Sequence, residues 1–378
     1  MGKLGDSNGA VDPNGLMEFS VVFTDRSLNH MSKSFQGVMT DISGMLKDVY
    51  NADHVALVPG GGTYGMEAVA RQFGAGAHAL IVRNGWFSYR WTQIFDAGDF
   101  TAQSTVMKAR QTGNDTRAPF APAPIEDVVA AIKEARPDVV FAPHVETSAG
   151  IILPDDYIAA MAAAAHDVGA LLVLDCIASG CVWVDMKATG VDVLISAPQK
   201  GWSATPCAGL VMMSQRAVDR MDTTTSNSFA VDLKKWHAIM LAYETGGHAY
   251  HATMPTDGLR AFRDTMLETR DYGFGRLKEA QWALGDGVRS YLAGKGVQSV
   301  ATEGFGAPGV VVSYTDDPEI HNGSKFSALG MQIAAGVPLQ CDEPDDFRTF
   351  RLGLFGLDKL YDVQGTMARL TGVLDQVL

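Results

Sequence analysis

Short apolar, β-branched runs recur along the first two thirds of the chain, and stretches with helical spacing lie between several of them. His54–Val58, Ala79–Arg83, Asp138–Ala142, Ala170–Leu174, Val191–Ile195 and Gly209–Met213 are such runs. They do not alternate apolar with polar, so they suit strands buried on both faces. Ile125–Ala135 and Asp155–Val168 read as the intervening helices. Strand–helix alternation implies an α/β fold with a mainly parallel sheet and right-handed crossovers. After about Arg270 the character changes. Glycine becomes frequent, prolines punctuate the chain, and strand signals (Gly309–Tyr314, Phe347–Phe355) mix with helical ones. The expected division is an N-terminal arm over 1–18, a large domain over 19–270 and a smaller C-terminal α+β domain over 271–378.

The bulk properties exclude several function classes. The chain has 378 residues, 47% hydrophobic and 19% charged, which is enough for a large buried core. Its formal net charge of −13 repels nucleic acid and anionic membrane surfaces, so neither is an expected partner. A small anionic substrate then needs a local basic anchor. Cys176, Cys181, Cys207 and Cys341 form no C-x-x-C pair and suit a reducing compartment. The Gly/Asn-rich start lacks a signal-peptide core, and no uncharged apolar run reaches the ~18 residues of a membrane span. A soluble, cytoplasmic protein without a metal site is expected.

Three features carry chemistry. Val55–Phe73 reads strand, glycine turn, helix, with Met66, Val69, Ala70 and Phe73 on one helical face. Glycines let a backbone approach an anion, and a helix N-terminus offers free N–H groups, so this is a phosphate site or a plain tight turn. Gly60, Gly62 and Gly65 also satisfy the dinucleotide pattern G-x-G-x-x-G. The second strand ends in Arg83-Asn84 instead of the acid that holds a ribose, which leaves only an NADP variant of that reading. The second feature is Asp175, closing the apolar run Leu171–Leu174, where an acid points into the ligand crevice of an open α/β sheet. The third is Lys200, a few residues beyond Val191–Ile195. Pyridoxal phosphate (PLP) needs a lysine amine for its Schiff base, an acid on its ring nitrogen and a phosphate cradle. A dehydrogenase has no special use for this acid–lysine combination.

These residues resemble the motifs of class V aminotransferases, the alanine–glyoxylate and serine–pyruvate group of fold type I PLP enzymes. Gly60-Gly-Gly-Thr-Tyr-Gly-Met-Glu-Ala68 resembles their phosphate loop, and Asn84-Gly-Trp-Phe-Ser-Tyr-Arg90 the segment whose aromatic stacks on the cofactor ring. His144-Val-Glu-Thr-Ser-Ala-Gly150, Asp175-Cys-Ile-Ala-Ser179 and Pro198-Gln-Lys-Gly201 are similar to three further motifs. Tyr250-His-Ala-Thr-Met-Pro255 resembles the segment reaching a neighbouring subunit's phosphate, and Phe350-Arg-Leu-Gly-Leu-Phe-Gly356 the carboxylate-gripping motif. The resemblance runs from about residue 25 to 360. It implies a large domain built on a mainly parallel seven-stranded sheet. It also implies that Lys200 and Asp175 are catalytic and that Arg351 binds the substrate carboxylate. Gly61, Gly62, Thr63, Phe87, Thr147, Ser148, Ile177 and Gln199 are then cofactor residues, with Tyr250 and Thr253 reaching the partner's site in a homodimer. Departures are Met31, where the family usually has arginine, Gly61 for a common serine, and the absence of an N-terminal Gly-Pro loop.

The implied function is transfer of an amino group from a small L-amino acid, such as alanine or serine, to a 2-oxo acid such as glyoxylate or pyruvate. The alternative within the same fold is a PLP-dependent lyase or desulfurase, for which Cys341 would be the nucleophile. The sequence names neither donor nor acceptor.

Overall fold

Sequence order and spatial order differ in the central sheet. The computed structural model describes residues 11–378, so the opening of the expected arm, residues 1–10, lies outside the described residues. The strands are β1 (His54–Pro59), β2 (His78–Arg83), β3 (Gln103–Lys108), β4 (Val139–Pro143), β5 (Leu171–Asp175), β6 (Val193–Ser196) and β7 (Ala208–Met213). They lie in the order β1-β7-β6-β5-β4-β2-β3. Neighbours are parallel except at β7, which runs antiparallel to both β1 and β6. Strands β4 to β7 are buried at every position, which is why they read as unbroken apolar runs. The edge strand β3 (QSTVMK) begins exposed and is too polar to announce itself in the sequence.

Helices pack against this sheet: α1 (Lys33–Tyr50), α2 (Gly62–Phe73), α3 (Trp86–Gly98), α4 (Ile125–Ala135), α5 (Asp155–Asp167), α6 (Leu233–Glu244) and α7 (Thr256–Tyr272). Helix α2 buries Met66, Val69, Ala70 and Phe73, the face its spacing predicts. After β4, a short hairpin pairs Val145–Glu146 with Ile151–Ile152.

Beyond α8 (Phe274–Gly294), β8 (Val310–Tyr314), β9 (Ala334–Ala335) and β10 (Thr349–Gly353) form an antiparallel sheet in the order β8-β10-β9. The expected strand Phe347–Phe355 is thus shorter, because its flanks leave the ladder as irregular backbone. Leu277 and Leu284 of α8 share a core with Leu370 and Leu374 of the C-terminal helix, α9 (Val363–Val377). Among the described residues no helix is long and apolar enough to cross a membrane.

Candidate active site

Lys200 and Asp175 face one cavity of about 350 Å³, which Gly62, Thr63, Phe87, Thr147, Ile177, Gln199 and Arg351 also line. The cavity lies where β5 and β6 end, as expected for a sheet that binds ligands beyond its carboxyl edge. Asp175 sits between Pro143 of β4 and Ile195 of β6 in register, so the sheet fixes its height. It is 7% exposed, and burial pushes its carboxyl up to about 7. The Ile177 N–H donates to its Oδ1 at 2.9 Å and pulls the other way.

Lys200 lies in the turn between β6 and β7. Burial, and then the charge of Arg351, lowers its amine below the ordinary lysine range. Desolvation and a neighbouring cation both favour the neutral base. Its Nζ stands 5.1 Å from the centroid of the Phe355 ring. Arg351, on β10, donates through Nε to the Ala335 carbonyl at 2.8 Å. That bond fixes the guanidinium on its inner edge and leaves the two terminal nitrogens for an anion.

Helix α2 begins at the cavity with Gly61 as its N-cap. Gly60 has φ +124, and a Cβ there would meet the Tyr64 ring, so the turn before the helix requires glycine. Gly62 is required for a different reason: a Cβ would lie 2.5 Å from Ile177 Cδ1. The first helical N–H groups therefore open onto the floor formed by Ile177. The Arg90 guanidinium reaches the same place, donating to Thr63 Oγ1 at 3.2 Å. Gln199 Oε1 is buried without a hydrogen-bond partner among the described residues.

Phe87 is mounted by a clamp the sequence did not reveal. Glu146, fully buried, accepts from the N–H groups of Phe87 (3.2 Å), Ser88 (2.9 Å) and Ser148 (3.0 Å) and from both serine hydroxyls (2.7 Å each). The Trp86 N–H donates to Ser148 Oγ at 2.9 Å. Ser148 is therefore spent on the start of α3 and does not line the cavity, whereas its neighbour Thr147 does. The clamp closes only because residue 85 lacks a Cβ, which would collide with Ser148 and Glu146. His144 begins the same segment. Burial holds its ring down at about 3, neutral, with Nδ1 2.7 Å from Ser179 Oγ.

Gly61 caps the helix without lining the cavity, and Tyr250 and Thr253 do not line it either. Tyr250 is 54% exposed, its hydroxyl 3.2 Å from that of Thr253. Arg348, the neighbouring arginine, does not line the cavity and donates to the Asp316 carbonyl at 2.8 Å. Arg90, Glu146 and Phe355 are the additions to the expected set. All three stood inside quoted motifs, but only the fold shows what each touches.

The rival readings fit less well. Arg83 is buried, bonded to Thr92 Oγ1 (2.8 Å) and the Gln340 carbonyl (3.3 Å), and is not free for a ribose phosphate. Cys341 is 4% exposed, outside the Lys200 cavity, and burial pushes its thiol up to about 12. A desulfurase needs an accessible, easily ionised thiol.

The family model "Aminotransferase class-V" matches residues 18–291. The chain is a class V aminotransferase. Among curated relatives, this aminotransferase is 25% identical over 355 residues to a 2-aminoethylphosphonate–pyruvate transaminase of Paraburkholderia phymatum, covering 91% of this chain and 89% of that one. Its fold is that of the Nostoc alanine–glyoxylate aminotransferase, with TM-score 0.76, 21% identity, and 93% and 89% of the two chains covered. It also matches an aspartate aminotransferase from Thermus thermophilus, with TM-score 0.74, 24% identity, and 93% and 94% covered. This is an α/β enzyme of a PLP-dependent family.

Proposed function

We propose that the chain binds pyridoxal phosphate on Lys200 and transfers the amino group of a small L-amino acid, alanine or serine, to glyoxylate or pyruvate. The observation that carries this reading is the meeting of Lys200 and Asp175 in one cavity with a helix N-terminus at one side and Arg351 at another. The residues fit the cofactor: a lysine free of acidic partners among the described residues, a buried acid, glycines that clear the floor, and an orphaned amide oxygen on Gln199. Gly62, Thr63 and Gln199 would hold the phosphate at the helix N-terminus that Gly61 caps, Phe87 and Ile177 the ring faces, Thr147 the ring edge, Asp175 the ring nitrogen and Lys200 the aldehyde.

Bound there, the cofactor supplies an aldehyde for amine exchange and a ring that accepts the electron pair of the substrate α-carbon. Asp175 would take the ring nitrogen, and a proton held there would favour its carboxylate form. Arg351 takes the substrate carboxylate by two parallel bonds, which aims the α-carbon as well as binding it. The Lys200 amine, kept neutral by burial and by Arg351, takes the proton from that carbon and gives it back. Val145, Ala178, Val310 and Ala334 line the cavity beside these groups, an apolar wall that suits a small side chain. The pyruvate in the relative's name agrees with a small oxo-acid acceptor.

The same reading makes the enzyme a homodimer. Tyr250 and Thr253 serve no site in their own chain, and Met17, Phe19 and Val21 are at least 81% exposed, an apolar stretch suited to burial against a second copy. A reducing cytoplasm suits four buried free cysteines. The test is borohydride reduction of cofactor-loaded protein followed by peptide mass, with a panel of amino donors against glyoxylate, pyruvate and 2-oxoglutarate. A pyridoxyl mass on Lys200 and turnover of alanine or serine are expected, and Lys200→Ala should fold normally yet lose both. Colourless protein, or full activity in that variant, overturns the reading.

A further inference from the structure

No carboxylate is paired with Lys200 among the described residues, yet its amine is not left to wander. The Phe355 ring stands 5.1 Å from Nζ. That ring closes on Gly309, where a side chain would collide with it, while Gly180 and Gly353 adjoin it at ordinary contact distance. A Cβ on Gly309 would lie 2.7 Å from it, one on Gly180 3.5 Å, and one on Gly353 3.9 Å.

The turn carrying Phe355 is fastened on both flanks. On one side, fully buried Gln281 of α8 donates to the carbonyls of Leu354 and Pro308, both at 3.2 Å, and the Leu354 N–H donates to Gly309 at 2.9 Å. On the other side, the Leu357 N–H donates to Ser203 Oγ at 3.1 Å. Ser203 belongs to the lysine loop, and its own N–H donates to the Lys200 carbonyl at 3.1 Å. The ring and the lysine backbone are therefore fixed to each other across the junction of the two sheets.

We propose that Phe355 is a positioning residue for Lys200, a role that rests on the reading of Lys200 as the cofactor lysine. An aromatic face attracts an ammonium group and gives a long, flexible side chain one preferred resting place. Whenever Lys200 carries a proton, the ring holds its ammonium on the wall it shares with Arg351. The amine is then in place for proton transfer instead of extended into water.

Phe355→Leu keeps an apolar side chain and removes the aromatic face; Phe355→Tyr keeps the face. In cofactor-free protein, acylation of Lys200 by limiting acetic anhydride, followed against pH by peptide mass, reads the ammonium directly. Phe355→Leu should acylate about threefold faster at neutral pH, with its midpoint moved to lower pH, because an ion–ring attraction of this kind is lost. Phe355→Tyr should restore the parent profile. Loaded with cofactor, Phe355→Leu should lose kcat while the KM for the amino donor stays unchanged. Coincident acylation profiles for the parent and both variants overturn the proposal, even where borohydride tags Lys200. Separated profiles in protein that takes up no cofactor uphold the contact and overturn the cofactor reading instead. Phe355→Met replaces Phe355→Leu if melting shows that the latter has lost its fold.

Discussion

Asp175 carries opposite demands in its two states. With a cationic ring nitrogen beside it the carboxylate is stabilised; without one it is a buried charge with a single N–H donor, and its value rises from 3.8 to about 7. A raised folded value means stability that is fully present below pH 3.8 and lost as pH climbs through 7. Asp175→Asn should therefore raise the melting temperature of cofactor-free protein by several degrees at pH 8 and hardly at pH 4. The same change should lower kcat by at least about a hundredfold, since the acid on the ring nitrogen is gone. Melts at both pH values and steady-state rates check the pair. Arg351 lends itself to a sharper substitution than alanine. Its Nε is held by Ala335, so Arg351→Lys cannot both keep that bond and grip a carboxylate at two points. Both Arg351→Lys and Arg351→Ala should raise the amino-donor KM about tenfold or more, with cofactor affinity unchanged. Asp175 and Lys200 were expected from the sequence because each stands at or just beyond the end of an apolar run, whereas Arg351, in the middle of β10, was expected only from the resemblance of its motif. Glu146 was not, because its role exists only once α3 has been brought over the hairpin that carries it.

At the scale of elements, the start of α3 depends on one side chain. Glu146→Ala would leave the buried N–H groups of Phe87, Ser88 and Ser148 without their acceptor. Each such group costs ~1–3 kcal/mol. A loss of roughly 3 kcal/mol or more in urea unfolding is expected, together with weaker cofactor retention because Phe87 is carried on that turn. A loss of less than about 1 kcal/mol would mean that water or Ser148 takes over the clamp. Strands buried on both faces were readable as strands because nothing polar interrupts them. Strand β3 escaped because a half-exposed edge follows no such rule, and Phe347–Phe355 was overextended because apolar residues continue past the last rung at Gly353.

For the whole molecule, the shared-site reading makes a prediction no single chain can fulfil. A Lys200→Ala chain supplies intact Tyr250 and Thr253, and a Tyr250→Phe/Thr253→Ala chain supplies an intact lysine. Mixed as hybrid dimers, these two weak or inactive proteins should regain up to half the parent activity per hybrid. No regain over the separate proteins would place Tyr250 and Thr253 outside the site. The arrangement around the lysine follows from the one reversed strand. A strand that doubles back needs no helix to return it, so residues 197–207 pass directly from β6 to the antiparallel β7. Phe355 and Leu357, just past the end of β10, meet this loop at Lys200 and Ser203. No rung of the main sheet involves a residue beyond Met213. Proteolytic loss of the C-terminal sheet would thus bare the amine while every rung stayed closed, so the scaffold and the reactivity it shelters are severed at different places along the chain.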